Sequence, residues 1–316
     1  MGARILVTGA AGVIGFELAR QIAERGDELV AIDCGKKGGL EDLDALAAKH
    51  GKRVKVLHDD LALAPLELDG RFDAIFHLAA IVGVKYVTDH PYETMVVNMR
   101  STLEVLDFAL RSKSGPFFFA SSSENYASGV DAGFVKVPTP EDVILSIDRI
   151  ALPRWSYAAS KLAGESAVFG AASEHGLHPI VVRFHNVYGP RMGQTHVIPE
   201  MLQRVRERVD PFPIYGADQT RSFLYVEDAG RALLTVLDAA LAGASGLYNI
   251  GSPHEKRIDE LARTIFDVTG FHPKLDPHPA PPGSVARRAP DLAKLSALGF
   301  APRFGLEEGL RACWKR

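Results

Sequence analysis

The fold of this chain is decided by residues 4–33, which read RILVTGAAGVIGFELARQIAERGDELVAID. The β-branched run at 4–8 predicts a buried strand, and the apolar residues at 16–25 recur at the spacing of an amphipathic helix. A second apolar run at 28–32 predicts another buried strand, of the kind found in parallel sheets. The order strand, turn, helix, strand predicts a strand–helix–strand unit with two parallel strands.

Three glycines, Gly9, Gly12 and Gly15, lie in the turn between the first strand and the helix. The N-terminus of a helix offers free backbone N–H groups, and its dipole favours a negative charge. Residues without a Cβ let a phosphate approach the backbone closely. The turn therefore predicts a site for the pyrophosphate of a dinucleotide, with Val13 and Ile14 also among the cofactor contacts.

Asp33 ends the second predicted strand and indicates which dinucleotide is bound. A carboxylate at this place accepts hydrogen bonds from the adenosine ribose hydroxyls and repels a 2′-phosphate, which favours NAD over NADP. Lys36 and Lys37 follow closely, and their positive charges leave NADP open as the alternative. The sequence thus predicts a dinucleotide, with NAD as the preferred cofactor.

Length and composition exclude several classes of protein. The 316 residues, 47% hydrophobic and 24% charged, suit one large α/β domain or a dinucleotide domain with a smaller partner. A net charge of −3 offers no basic surface for nucleic acid or an anionic membrane. No apolar run reaches the roughly 20 residues of a membrane span, and the first residues lack the basic region of a secretory signal. Two cysteines, Cys34 and Cys313, cannot form a disulfide framework, which suits the reducing environment of the cytoplasm. With no membrane span predicted either, we expect a soluble, cytoplasmic protein.

A tyrosine and a lysine share one face of a predicted helix. Tyr157 and Lys161 stand at i and i+4, downstream of a predicted strand at 117–120 that runs into three serines. A free phenol has a pKa of about 10 and is a weak base at neutral pH. The lysine ammonium and the positive nicotinamide ring together favour the phenolate and lower that pKa. Tyr157 then takes a proton from a sugar or alcohol hydroxyl while hydride leaves the same carbon for the nicotinamide.

The glycine spacing after Thr8 resembles that of the extended short-chain dehydrogenase/reductase family, whose members open with T-G-x-x-G-x-x-G. The resemblance runs along nearly the whole chain. It implies an α/β fold, a Rossmann-type doubly wound parallel sheet with a smaller C-terminal substrate-binding domain. It also divides the chain into a dinucleotide-binding domain, 1–184 with 222–253, and a nucleotide-sugar-binding domain, 185–221 with 254–316.

The same resemblance implies further cofactor contacts. An acidic residue after the third strand matches the family's adenine contact, a small-residue loop after the fourth strand lies beneath the cofactor, and an asparagine follows in the next helix. These residues are Asp60, Leu61, Leu78, Ala79, Ala80 and Asn98. In the family Lys161 would also hold the nicotinamide ribose, and NAD is the implied cofactor.

The family's catalytic triad joins a serine or threonine to the tyrosine and the lysine, and three consecutive serines are the candidates here. Aligned on the family pattern, Ser123 is the triad serine and contacts the substrate, while Ser121 and Ser122 are backbone and packing positions. The family's 4,6-dehydratases and uronate decarboxylases carry an acidic residue two positions after the triad serine or threonine, and its 3,5-epimerases carry a cysteine there. Asn125 occupies that position here, which favours simple oxidation and reduction at C4. Glu124 leaves the dehydratase reaction open, and we expect both Glu124 and Asn125 at the substrate.

The C-terminal half carries segments that resemble the family's nucleotide-sugar motifs. Residues 183–190 match the pattern R-x-x-N-V-Y-G-P, and residues 216–223 resemble the segment with the diphosphate arginine. The implied contacts are Asn186, Arg221 and Arg288 at the diphosphate, with His196 and Val197 at the nucleotide base. Arg287 is the alternative to Arg288 if the register of this segment slips by one residue. His185 is assigned either to packing or to a contact with the substrate.

The segment 128–155 is longer than in compact members of the family. This length predicts a lid over the sugar. Arg154, close to the catalytic tyrosine in sequence, is then a candidate partner for the carboxylate of a uronate.

Together these features predict an NAD-dependent 4-epimerase acting on a UDP-linked hexose or hexuronate, with UDP favoured because most of the family uses it. Dehydratase, decarboxylase, 3,5-epimerase and 4-ketosugar reductase are the alternatives of the same fold. A non-catalytic, dinucleotide-binding regulatory protein is the alternative of another class, and the intact Ser123, Tyr157 and Lys161 argue against it. We also expect a homodimer built on the helices near 92–111 and 157–175, and no metal site.

Overall fold

The computed structural model describes residues 2–36, 38–280 and 284–315. Lys37, one of the two lysines that leave NADP open, lies outside these ranges. In chain order the strands are β1 Arg4–Thr8, β2 Glu28–Asp33, β3 Val54–His58, β4 Ala74–His77, β5 Phe117–Ser122, β6 Pro179–Phe184, β7 Val187–Tyr188, β8 Phe212–Tyr215, β9 Thr220–Ser222, β10 Leu224–Tyr225, β11 Gly246–Ile250, β12 Glu255–Arg257, β13 Leu275–His278 and β14 Arg287–Arg288.

The helices alternate with these strands along most of the chain. In chain order they are α1 Val13–Arg25, α2 Leu40–His50, α3 Val84–Asp89, α4 Pro91–Arg111, α5 Glu124–Asp131, α6 Trp155–His175, α7 Val197–Arg206, α8 Val226–Leu241, α9 Ile258–Thr269, α10 Ala293–Ala297 and α11 Leu306–Trp314, with a 3-10 helix, Gly51–Arg53, after α2.

Seven parallel strands form the central sheet, in the order β11–β6–β5–β4–β1–β2–β3. The order reverses at β1, which has β2 on one side and β4 on the other. In open α/β sheets a ligand binds at this reversal, outside the carboxyl ends of the strands. The glycine-rich turn leaves β1 at that edge of the sheet, and the serines end β5 at the same edge. The predicted doubly wound parallel sheet is confirmed.

Strand β1 shows why these strands read as continuous apolar runs. Ile5 and Val7 belong to the core on the side of α1 and α8, while Leu6 belongs to the core on the side of α4 and α6. All three side chains are fully buried. A strand covered by helices on both faces has no solvent face and therefore no polar alternation.

Helix α1 begins inside the glycine-rich turn, three residues earlier than the apolar spacing predicts. Gly12 is its N-cap, in an extended conformation, and Val13 is its first residue. The helix ends at Gly26, whose φ of 91° is the left-handed conformation typical of a glycine after a helix. The earlier start brings the helix N-terminus into the turn, where a pyrophosphate would bind.

The segment 128–155 is packed into the structure and forms a wall rather than an open lid. Thr139 N donates to Ala289 O at 2.9 Å, and Asp291 N donates to Thr139 O at 2.8 Å. A small apolar cluster joins the segment to its neighbours through Ala127, Trp155, Ala158, Val285, Ile147 and Leu152. The segment thereby links the start of α6 to the chain around β14, which carries Arg288.

Helices α4 and α6 pack side by side over one face of the sheet. None of the described helices combines the length and the apolar character that crossing a membrane requires. The homodimer expected from these two helices stays a prediction.

Candidate functional site

The glycine-rich turn is crowded on its inner side. Gly9 has a φ of 70°, and a Cβ there would lie 2.5 Å from the backbone nitrogen of Ala79. A Cβ on Gly15 would collide with the carbonyl oxygen of Gly9. Gly12 caps α1, whose fully described first turn contains no acidic residue. The glycines thus let the turn pack against the loop after β4 and leave the N–H groups of the helix to bind a phosphate.

The carboxylate of Asp33 lies beside the same turn. Its Oδ2 accepts a hydrogen bond from Ala11 N at 2.9 Å, and its Oδ1 accepts one from Gly35 N at 2.8 Å. Each carboxylate oxygen has capacity for a second hydrogen bond, so two ribose hydroxyls fit as further donors. Lys36 Nζ lies 3.3 Å from Asp60 Oδ2. Lys36, one of the two lysines that left NADP open, is therefore paired with a carboxylate, and Asp33 favours NAD.

The apolar residues predicted at the cofactor form two groups. Leu61 is 7% exposed and belongs to the core. The others are half-buried along the turn and the loop after β4: Val13, Ile14, Leu78, Ala79 and Ala80. This second group has surface to offer a cofactor, whereas Leu61 acts in packing.

Asn98 holds the loop after β4 in place. Its Oδ1 accepts a hydrogen bond from Ile81 N at 2.7 Å, and its Nδ2 donates to Ile81 O at 3.2 Å and to Ser160 Oγ at 3.1 Å. The side chain is only 2% exposed. Asn98 thus holds the shape of the loop after β4, and its contact with the cofactor stays a prediction.

Tyr157 and Lys161 lie on one face of α6, as the i, i+4 spacing predicts. Burial raises the pKa of Tyr157 to about 12, although a hydrogen bond with Ser122 lowers it in part. Burial lowers the pKa of Lys161 to about 7, and its ammonium lies 4.9 Å from the ring centre of Phe119. Lys161 is thus less readily protonated than a free lysine, and the positive nicotinamide ring of bound NAD would add charge that favours the phenolate.

The serine beside Tyr157 is Ser122 and not Ser123. Ser122 interacts with the Tyr157 phenol closely enough to lower its pKa, and its hydroxyl accepts a hydrogen bond from Glu124 N at 3.2 Å. Ser123 is the N-cap of α5, and its backbone N–H donates to Phe184 O at 3.1 Å. The predicted triad register is therefore shifted by one residue, and we move the serine assignment from Ser123 to Ser122.

With this register, an acidic residue stands two positions after the triad serine. Glu124 Oε1 accepts a hydrogen bond from Arg288 Nη1 at 2.8 Å, and its Oε2 lies 3.4 Å from Arg154 Nη2. Burial by itself raises the pKa of Glu124, but the positive charges of Arg288, Arg154 and Arg221 outweigh it and hold the pKa below its ordinary value. Glu124 is therefore a carboxylate at neutral pH.

Asn125 points into the protein, which contradicts its predicted substrate contact. Its side chain is fully buried, and Nδ2 donates to Ser121 Oγ at 3.2 Å and to Glu165 Oε1 at 3.0 Å. Glu165 also forms a buried ion pair with Arg183. Asn125 and Ser121 thus belong to a polar network beneath the site, and their role is structural.

Two arginines stand side by side on paired strands. Arg221 of β9 is the register partner of Arg288 of β14. Burial, with the neighbouring charge of Arg288, lowers the pKa of Arg221 to about 10. Arg287 points the other way and binds Glu255 in an exposed ion pair at 2.8 Å. Strand pairing therefore decides the register that the sequence left open, in favour of Arg288.

The remaining predicted substrate residues lie in the segments around β7 and α7. Asn186 has a φ of 40°, a conformation that asparagine tolerates better than most residues, and its Nδ2 donates to Ser222 O at 3.1 Å, next to Arg221. His196 is the N-cap of α7 and Val197 is its first residue. Both stay predicted contacts of the nucleotide base.

His185 is a packing residue. It is 1% exposed, its Nε2 lies 3.3 Å from Asn249 Oδ1, and burial lowers its pKa to about 3. Of the two assignments that the sequence allowed for His185, the structure supports packing.

The chain is similar to known proteins along nearly its whole length. The model of the NAD-dependent epimerase/dehydratase family matches residues 5–251. A relative, the UDP-N-acetyl-alpha-D-glucosaminuronate decarboxylase of Bacillus cytotoxicus, is 33% identical over 98% of this chain and 96% of its own length.

Solved structures of the same fold include two epimerases. The UDP-glucose 4-epimerase of Thermotoga maritima, solved with UDP-glucose, is 26% identical with a TM-score of 0.82, covering 99% of this chain and 97% of that one. The UDP-glucose 4-epimerase of Thermus thermophilus, solved with NAD, is 26% identical with a TM-score of 0.77, covering 99% of this chain and 98% of that one.

Proposed function

Because the chain belongs to the NAD-dependent epimerase/dehydratase family, and NAD is its cofactor, we propose that it decarboxylates a UDP-linked hexuronate to a UDP-linked pentose. The observation that carries this proposal is the position of Glu124, two residues after Ser122 and between the guanidinium groups of Arg154 and Arg288. The simpler 4-epimerisation predicted from the sequence rested on Ser123 as the triad serine, which left Asn125 at the acidic position.

The reaction begins at the C4 hydroxyl of the sugar. Tyr157 removes the hydroxyl proton, and Ser122, its hydrogen-bonding neighbour, holds the same oxygen. NAD, when bound here, would supply the acceptor for the hydride from C4 and the source from which it returns. The C4 ketone lies β to the carboxylate at C6, so the C5–C6 bond breaks with its electron pair passing toward the C4 oxygen, where Tyr157 and Ser122 lie.

The carbon C5 must then gain a proton. Glu124 is held as a carboxylate by its arginine neighbours, so it accepts hydrogen bonds and does not itself act as an acid. We assign to Glu124 the orientation of the water molecule that protonates C5, and the hydroxide left behind takes a proton from solvent. Return of the hydride to C4 then completes the conversion of the uronate and one proton to the pentose and carbon dioxide, with NAD restored.

The same electrostatics argue against a dehydratase. Loss of water from a sugar needs an acid that protonates the departing hydroxyl group. Glu124 has a pKa below its ordinary value because Arg288 and Arg154 stabilise its negative charge. A group that is ionised at neutral pH is a poor proton donor, so the second half of a dehydratase reaction lacks its acid at this position.

The charge of the site favours an acidic sugar. Arg154 and Arg288 both contact Glu124, and Arg221 is the strand partner of Arg288, so three guanidinium groups lie around this carboxylate. A planar guanidinium binds phosphate and carboxylate oxygens in pairs. We assign Arg221 and Arg288, with Asn186, to the UDP diphosphate, and Arg154 to the sugar carboxylate. The similarity to a decarboxylase of a UDP-linked uronate supports this assignment.

The test is the product formed by the purified protein from UDP-glucuronate and from UDP-N-acetylglucosaminuronate, without added reductant, followed by proton NMR. We expect a UDP-pentose from at least one of them. Glu124→Gln should slow its formation by about 10- to 150-fold, the loss expected when a hydrogen bond to a charged group is removed, while the surface variant Glu200→Gln should not. A 4-epimer that keeps its carboxylate, formed equally by wild type and Glu124→Gln, would contradict the proposal and favour the epimerase.

A further inference from the structure

Arg191 joins the segment after β7 to the glycine-rich turn. Its Nη2 donates to Ala11 O at 3.3 Å, its Nη1 forms an ion pair with the carboxylate of Asp42 on α2, and its guanidinium carbon lies 4.1 Å from the ring centre of Phe16 on α1. The side chain is only 16% exposed. We call Arg191 and these three partners the Arg191 clasp.

The clasp lies directly beside the predicted site of the adenosine diphosphate. The peptide of Ala11 is shared: its N–H donates to Asp33, which selects the ribose, and its carbonyl accepts from Arg191. A Cβ on Gly39, just before α2, would collide with the guanidinium of Arg191 and lie 3.0 Å from Ala11 O. The start of α2 therefore rests on the turn, with Arg191 between them.

Glycines precede the part of α2 that the clasp holds. Gly35, Gly38 and Gly39 all have positive φ angles. Glycine has few steric restrictions on its backbone, so these three positions gain conformations when the start of α2 is released. The ion pair of Arg191 with Asp42 fastens the start of α2 against the turn.

We propose that Arg191 is a positioning residue that retains NAD between turnovers. The adenosine half of the cofactor leaves its site when the start of α2, with Gly39 and Asp42, moves away from the turn, and that movement breaks the Arg191 clasp. A reaction that returns its hydride to the substrate needs the same cofactor molecule for both steps, so slow release serves it. The inference depends on NAD binding and is independent of which sugar reacts.

The test measures the release of NADH from the loaded protein after excess NAD is added, through the change in NADH fluorescence. Asp42→Asn should release NADH about fivefold faster, the fold-change expected for an ion pair at the strong end of the exposed range. Arg191→Gln, which also loses the bond to Ala11, should release NADH faster still. The release rate of Arg191→Lys should lie between those of the wild type and Arg191→Gln. The double variant should release NADH no faster than Arg191→Gln, because both changes break one unit.

The matched control is Asp238→Asn. Asp238 also forms an ion pair between elements, with Arg25 at 2.8 Å, but at the opposite end of α1. Thermal midpoints of the NAD-free proteins should fall equally in Asp42→Asn and Asp238→Asn, while only the former speeds release. NADH release at the control rate in both Asp42→Asn and Arg191→Gln, or effects that simply multiply in the double variant, would overturn the proposal.

Discussion

Replacement of Ser122 by alanine tests the position of the triad serine. The Ser122 hydroxyl interacts with the Tyr157 phenol and lowers its pKa in part, while burial still leaves that pKa raised to about 12. A hydrogen bond to a group that becomes charged contributes about 1.5 to 3 kcal/mol, which corresponds to a loss of about 10- to 150-fold in kcat. Without that bond the pKa of Tyr157 rises further, so the rising limb of the pH–rate profile should move to higher pH.

Ser123→Ala is the matched control, one residue along the chain. Ser123 is also buried, at 3% exposure, and its side chain forms no capping hydrogen bond to α5, all of whose residues are described. We expect its kcat to stay within about twofold of wild type, since substitutions away from specific contacts cost little. The assay is the initial rate of product formation between pH 6 and pH 10. A larger loss in Ser123→Ala than in Ser122→Ala, or an unshifted profile in Ser122→Ala, would refute the reasoning.

Three further predictions concern stability and cofactor binding. Glu165→Gln breaks a buried ion pair with Arg183 and should lower the free energy of unfolding by about 3 to 5 kcal/mol in urea titrations, and a loss below about 1 kcal/mol would count against it. Lys161 has a folded-state pKa of about 7, so between pH 7 and pH 9 the unfolded chain binds more protons than the folded one. The free energy of unfolding of the NAD-free protein should therefore rise by at most about 3 kcal/mol over this range relative to Lys161→Met, and parallel curves of this free energy against pH for the two proteins would exclude it. Gly15→Ala places a Cβ against the turn and should weaken NAD binding at least about tenfold by calorimetry, whereas Gly170→Ala, where a Cβ has open space, should leave it unchanged.

The dinucleotide half of the fold could be predicted from the sequence because its signals are local. The glycines fall between a strand and a helix within a dozen residues, and the crowding at Gly9 and Gly15 shows why no side chain is tolerated there. Asp33 follows at the end of the next strand, where its carboxylate reaches the same turn. Neighbours in sequence are neighbours in space here, so pattern and spacing suffice.

The triad serine could not be chosen with the same certainty because three serines stand in a row. Side chains on a strand alternate between its two faces, so a shift of one residue exchanges the packing position for the active one. Ser121 bonds to Glu165 in the interior, whereas Ser122 reaches Tyr157. An acidic residue two positions after the triad serine was the signal that would have selected Ser122, since Glu124 fits it.

The arginine cluster and the wall of residues 128–155 depend on contacts between distant parts of the chain. Arg288 meets Glu124 across 164 positions of sequence, and its register is set by pairing with Arg221. Thr139 likewise finds its backbone partners around residues 289–291. The family motifs pointed to Arg221 and Arg288 but predicted no strand for either, because the pairing of β9 with β14 is a tertiary contact.

The central claim is that the carbon at C6 leaves the sugar. The most direct measurement is a time course with a UDP-hexuronate labelled with carbon-13 at C6, followed by carbon NMR in a sealed tube, with Tyr157→Phe as the inactive control. Our account predicts that the carboxylate signal converts to carbon dioxide and bicarbonate in step with the UDP-pentose formed, without net production of NADH. Retention of the label in a carboxylate, with a new epimer at C4, would contradict it.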